Sequence, residues 1–304
     1  MTTAELNTRY GAPGRIVFLA GHGGYPEVVL ANKYGTATVS LLGGNTLSYR
    51  PTGQSEVVFR TAKRDYNRAD KVHCGIPVCW PWFGKSGEPG TQAHGFARLC
   101  VFNVRGTQYS DEMTEITLSL KSDDATRALW PHDFDLELKV SVSMKLNLSL
   151  KTKNTGKESF LLTEGFHPYF LIGGLDEAYV RGVEGLDFVD ARNMSEAVMT
   201  GDFSVAKPSD HVITLKDEPK HEFALIDPKL KRAIAIVSTG NRKLVIWNPG
   251  SEDGIGDLAP GDSKKFVCVE PATLWRDAAF TIAPRETHTL AVAIQSTLDG
   301  ASAG

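Results

Sequence analysis

The sequence predicts an all-β protein, a large antiparallel β-sandwich with few short helices. Three observations carry this. Apolar and polar residues alternate at period two along many segments, the pattern of strands with one buried and one wet face. Turn-forming residues punctuate those segments, as at Asn154-Thr155-Gly156 and Pro260-Gly261-Asp262. Helical patterning is scarce, which argues against a fold of alternating strands and helices.

In chain order, the first strand candidates are Ile16–Ala20, Thr36–Leu42, Glu56–Arg60 and Leu99–Arg105. Between the first two, Gly21-His22-Gly23-Gly24 reads as a turn. It lacks the Lys-Ser/Thr ending of a phosphate loop, and no helical pattern follows. Alternation is clearest at Ile116, Leu118 and Leu120, at Leu136 through Met144, and at Leu146, Leu148 and Leu150. Asp123–Trp130 predicts one short capped helix ended by Pro131. Later strand candidates are Ser159–Thr163, His211–Leu215, Ala233–Val237, Lys243–Trp247, Lys265–Glu270 and Thr289–Ile294.

A chain of 304 residues, 41% hydrophobic, is long enough for a large core. Sandwiches above ~200 residues commonly form one unit, so the chain reads as a single domain, 1–304, with ends 1–12 and 297–304 frayed. A net charge of −3 gives no reason to expect nucleic acid or an anionic membrane as partner. A mild basic cluster at Lys63, Arg64, Arg68 and Lys71 reads as a solvated loop. Cys74, Cys79, Cys100 and Cys268 form no C-x-x-C pair and sit among apolar residues, so reduced thiols are expected and no zinc site. No segment has the length of a signal peptide's apolar core or of a membrane span, and a cytoplasmic protein, a monomer or weak dimer, is expected.

Three separated segments carry chemistry. Gly75-Ile76-Pro77-Val78-Cys79-Trp80-Pro81-Trp82-Phe83-Gly84 concentrates aromatic rings between prolines. This is either a rigid core crossing or a wall on which the C–H faces of a sugar stack, through Trp80, Trp82 or Phe83. His94-Gly95-Phe96-Ala97-Arg98 follows, with a His and an Arg suited to hydroxyls or an anion. His167 sits among Phe166, Tyr169 and Phe170, where a lone His is usually a satisfied core residue. Glu270 ends the apolar run Phe266-Val267-Cys268-Val269, where a carboxylate must be paired or useful. Burial would raise its pKa toward neutrality, as a general base requires. The two together suggest an acid–base pair needing no cofactor.

With His167-Pro168-Tyr169-Phe170, Val245-Ile246-Trp247-Asn248-Pro249 and Val267-Cys268-Val269-Glu270-Pro271 added, the chain resembles the hexose-6-phosphate mutarotases, a branch of the aldose 1-epimerase family, over about residues 55–275. The resemblance implies a supersandwich with the site on its concave face, and interconversion of the α and β anomers of a hexose phosphate without metal or cofactor. It maps the catalytic pair to His167 and Glu270, the phosphate-side Arg to Arg98, and a ligand Asp to Asp210, with His94 also at the substrate. Three positions depart from the family pattern: His73 and His211 stand where arginines are usual, and Ala93 precedes His94 where some members carry Gln. If both histidines face the phosphate, its binding should be strongest in mild acid. The departures keep open a neutral aldose as substrate. A non-catalytic carbohydrate-binding sandwich is the reading of another class, and it leaves the paired His and Glu unexplained.

Overall fold

The computed structural model describes residues 1–61, 73–86, 91–275 and 278–298. The basic cluster Lys63, Arg64, Arg68 and Lys71 lies outside the described residues. Among those described, antiparallel strands form sheets of four, two, eight and nine strands. The nine-stranded sheet contains the strongly alternating segments, including Thr114–Lys121, Phe134–Val142, Leu146–Asn154, Arg232–Thr239 and Thr287–Leu298. The centre of the eight-stranded sheet runs Ser209–Thr214, Lys243–Asn248, Phe266–Thr273, Glu164–Phe166 and Val78–Cys79 in that lateral order.

The two large sheets share one apolar core. From the eight-stranded sheet come Ile213, Leu244, Ile246, Val267 and Val269, and from the nine-stranded sheet Leu138, Leu148, Leu150, Ile236 and Ile294. Because side chains alternate across a strand, burying those residues turns Asp210, Val212, Val245, Trp247, Cys268 and Glu270 to the opposite, outer face. The site is therefore a direct product of the register.

The predicted short helix is Asp124–Leu129, and Asp123 caps it by accepting from Thr126 N–H. At Asn154-Thr155-Gly156 the Asn side chain accepts from Gly156 N–H at 2.9 Å, the expected Asx turn. The four cysteines are free thiols, Cys100 only partly buried. Among the described residues no helix is long and apolar enough to cross a membrane.

Three expectations are corrected. Residues 1–12 are not frayed: Thr3–Tyr10 is a helix with a Thr2–Glu5 capping box, anchored by buried Leu6. At the other end, Thr297 and Leu298 belong to the last strand, and residues beyond 298 lie outside the described set. Glu56–Arg60 is not a strand. The Glu56 carboxylate accepts from Tyr49 N–H and the Ser48 hydroxyl, and Val58 makes only an isolated bridge to Phe170. Leu99–Arg105 divides into a helical turn, Ala97–Leu99, and a strand starting at Asn103, because Phe96 and Ala97 N–H both donate to the carbonyl of Trp80.

Candidate active site

Strand Glu164–Phe166 delivers His167 to the outer face, next to Glu270 on strand Phe266–Thr273. His167 Nε2 lies 3.4 Å from Glu270 Oε2. The Glu270 side chain is 1% exposed and that of His167 13% exposed, so the imidazole is the pair's contact with the solvent side. Neither carboxylate oxygen of Glu270, nor His167 Nδ1, has a hydrogen-bond partner among the described residues. A buried carboxylate left so costs folding free energy, and such groups concentrate where a ligand completes them. Burial, then the negative charge of Asp210, holds the Glu270 carboxyl well above its ordinary range. Burial, then the positive charges at His94, His73 and Arg98, pushes His167 well below its own.

Aromatic rings fix the imidazole. Tyr169 stacks on it, with centroids 4.8 Å apart and planes 10° apart. Phe83 lies parallel at 6.2 Å, and His94 and Trp247 approach edge-on at 5.4 and 5.9 Å. His94 holds an uncommon φ of +66° and is followed by Gly95 at +70°, which turns the ring toward His167. Its Nδ1 accepts from Gly84 N–H at 3.4 Å, which leaves Nε2 as the protonated nitrogen and a donor to a ligand oxygen. Burial, then the charges of Arg98 and His73, lowers the His94 pKa to about 4, so the ring works neutral.

The sequence-predicted residues separate on this frame. His167, Glu270, His94 and Phe83 meet. Asp210 pairs in register with Trp247 on the same outer face, and its charge acts on Glu270. Arg98 gives one Nη2 hydrogen bond to the carbonyl of Ala93, while its Nε is buried and unpartnered. His73 is tied down: Nδ1 lies 2.7 Å from Asp257 Oδ1, and its backbone N–H donates to Oδ2 of the same carboxylate.

Three expectations at the site are corrected. His211 cannot share Asp210's face, since adjacent strand residues point oppositely. Its ring packs on Phe188 and Phe203, so it does not stand in for an arginine at the ligand. Trp80 is no wall. It is fully buried, its indole N–H donating to Thr152 and its ring packing on Phe96, Trp130 and Phe134. Trp82 braces the loop instead of facing the pair, its N–H donating to the carbonyl of Gln92 and its ring meeting Phe96.

Sequence reasoning missed the contributions of Tyr169, Trp247 and Asp257. Tyr169 and Trp247 stood inside the quoted motifs, and period two from Glu270's partner Val245 places Trp247 on the site face. Asp257 carried no signal, because its role exists only through contact with His73. One set of possible metal donors occurs among the described residues: His167, Cys268 and Glu270 each offer an atom, all within 4.8 Å of one another. Two of the three, His167 and Glu270, are the residues that the sequence pairs for acid–base chemistry.

The family model for aldose 1-epimerases matches residues 26–295. A protein of Escherichia coli K12 carrying the provisional name glucose-6-phosphate 1-epimerase is 31% identical over 242 residues, 78% of this chain and 79% of its own. A Salmonella typhimurium protein of the same provisional name is 30% identical over 237 residues, 77% of this chain and 78% of its own. Among solved structures, the provisionally named mutarotase YeaD from Salmonella typhimurium superposes with a TM-score of 0.86 at 27% identity, covering 95% of this chain and 96% of its own.

Proposed function

The chain belongs to the aldose 1-epimerase family, and from that premise we propose that it interconverts the α and β anomers of a hexose 6-phosphate by acid–base ring opening and closure. The observation that carries the reading is the His167–Glu270 pair, a buried carboxylate and a partly exposed imidazole 3.4 Å apart, with no hydrogen-bond partner for Glu270 Oε1 or Oε2 or for His167 Nδ1 among the described residues. The names of the two bacterial relatives support the phosphate ester as substrate.

In this mechanism Glu270 takes the proton of the anomeric hydroxyl and protonated His167 gives one to the ring oxygen. The C1–O5 bond breaks and the open aldehyde forms. Rotation about C1–C2 presents the other carbonyl face, and closure runs with the two roles exchanged. The resting pair holds one proton, which burial favours on Glu270, and its passage to His167 generates the working ion pair. His94 donates to a sugar hydroxyl, Asp210 accepts from another, and Tyr169, Phe83 and Trp247 hold the imidazole. Positioning and proton transfer suffice, because sugars also open slowly in water.

A neutral aldose is the second reading, favoured by His73's engagement with Asp257 and by His211 facing away. Polarimetry of freshly dissolved α-glucose 6-phosphate and α-glucose decides between them. Faster mutarotation of the ester is expected. Acceleration of free glucose alone would establish the second reading, and no acceleration of either sugar would leave a carbohydrate-binding protein.

A further inference from the structure

The ring-opening chemistry gives Cys268 no part, yet its thiol belongs to the same cluster as both proton-transfer groups. Cys268 and Glu270 stand two residues apart on strand Phe266–Thr273, so their side chains share the outer face. Pairing of Gly165 with Ala272 and of Tyr169 with Cys268 brings His167 opposite Glu270. One donor atom from each of the three residues lies within 4.8 Å of the other two. Around a tetrahedral Zn²⁺, with bonds of about 2.0–2.3 Å, neighbouring donors stand roughly 3.3–3.6 Å apart. The 3.4 Å between His167 Nε2 and Glu270 Oε2 already has that spacing. The thiol then has at most about 1.3 Å to close, within reach of a side-chain rotation.

Polar satisfaction points to a cation at this cluster. Glu270 is 1% exposed, and neither of its carboxylate oxygens has a hydrogen-bond partner among the described residues. A bound ion would relieve that cost. Charge balance allows an ion in so buried a place. With one proton on the His167–Glu270 pair and one on the Cys268 thiol, the cluster is neutral, and burial favours both protons where they are. A dication that displaces both is surrounded by a carboxylate, a thiolate and a neutral imidazole, and the cluster is neutral again. Both protons pass to the solvent. The positive charges that act on His167, those of His94, His73 and Arg98, therefore meet no added net charge. The partly exposed His167 gives the ion its way in.

We propose that His167, Cys268 and Glu270 bind a thiophilic divalent ion of the Zn²⁺ or Co²⁺ class, and that the ion switches the enzyme off by occupying both proton-transfer groups. The site itself goes beyond the anomerase reading; only its effect on catalysis rests on that reading. Thiolate and imidazole select borderline and soft ions. Mg²⁺ and Ca²⁺ take six or more oxygens, and this cluster offers one carboxylate. The ion exchanges and does not reside. Permanent sites hydrogen-bond the outer atoms of their ligands, and His167 Nδ1 and the second Glu270 oxygen have no such partner among the described residues. Sugar and ion need the same atoms, so each excludes the other.

The test uses untagged, chelator-stripped protein, with ZnCl₂ in calorimetry and CoCl₂ in absorption spectroscopy. The wild type should bind a single Zn²⁺ per chain and show a thiolate-to-cobalt charge-transfer band that Zn²⁺ or EDTA abolishes. Cys268→Ala should lose the band and weaken Zn²⁺ binding at least about a hundredfold, more than loss of a supporting group costs. Glu270→Gln should weaken Zn²⁺ binding at least about tenfold, and it carries the test if Cys268→Ala does not fold. MgCl₂ should not compete. No cobalt–thiolate band in the wild type, or unchanged Zn²⁺ affinity in folded Cys268→Ala or Glu270→Gln, would overturn the site. In polarimetry of α-glucose 6-phosphate, one equivalent of Zn²⁺ should abolish the acceleration and EDTA should restore it. Full acceleration with Zn²⁺ bound would overturn the switch. If the wild type accelerates neither sugar and the cobalt–thiolate band still depends on Cys268, the anomerase reading fails and the metal site stands.

Discussion

At the scale of single residues, the site depends on a few polar groups placed where burial penalises them. His167→Ala and Glu270→Gln should each lower anomerisation at least ~10²-fold while the fold persists, the usual scale for a general acid or base. Near wild-type rates at saturating sugar in either folded variant would remove that residue from the chemistry. In the proposed mechanism the pair shares a single proton, and the pH profile follows from it. A second proton reaches His167 only well below its ordinary range, and the first leaves Glu270 only well above its own. Activity should therefore fall in acid through the first event and in alkali through the second. Asp210 raises the Glu270 pKa, so Asp210→Asn should draw the alkaline limb of kcat/KM toward lower pH. A limb that stays put would show that Asp210 does not act on the pair. His167 and Glu270 were legible in the sequence because a polar residue inside an apolar run demands an explanation. His211 misled because a motif position says nothing about which face of a strand a residue occupies. Asp257, in a Gly-rich stretch that resembles any solvated turn, could not be read at all.

At the scale of elements, the strands were legible because alternation is a property of each segment alone. Phe134–Val142 and Leu146–Asn154 bury every second residue along most of their length. The N-terminal helix was overlooked although Thr2 and Glu5 have capping-box spacing, since eight residues show little helical periodicity. The turn through His94 and Gly95 is the element on which the site most depends, and its demand for Gly95 is steric. At φ +70°, a Cβ on Gly95 would lie 1.9 Å from the carbonyl oxygen of Trp80. Gly95→Ala should cost about 2–4 kcal/mol, combining left-handed strain with forced displacement of packed backbone. It should also lower kcat/KM by moving His94. Gly53 has a similar φ of +75° with nothing near its missing Cβ, so Gly53→Ala isolates the strain term. Urea unfolding of the two variants measures the difference, and equal losses would mean the Trp80 contact is not the constraint.

For the whole molecule, the question is whether this site can exist without the rest of the chain. Its groups run from His73 to Glu270, and the strand carrying Glu270 pairs on one side with the preceding strand, Lys243–Asn248, and on the other with Glu164–Phe166 and Tyr169–Leu171, far earlier in the sequence. Beneath the site, Trp80 N–H donates to Thr152, Thr152 donates to buried Glu164, and Glu164 lies 3.2 Å from His288 Nε2. That chain ties the aromatic loop and the eight-stranded sheet to two strands of the nine-stranded sheet. Breaking any part of it would strand buried polar groups, so neither sheet can open while the other stays folded without a large penalty. The chain should therefore unfold in one transition, with fluorescence from its tryptophans and far-UV circular dichroism giving the same midpoint. A sugar phosphate bound at His167 and Glu270 stabilises only the intact arrangement. At 100 times its Kd it should add about 2.7 kcal/mol to the whole transition and leave it single. Two transitions, with only one displaced by the sugar phosphate, would show that the site belongs to a separable part of the chain and that the two sheets do not form one cooperative unit.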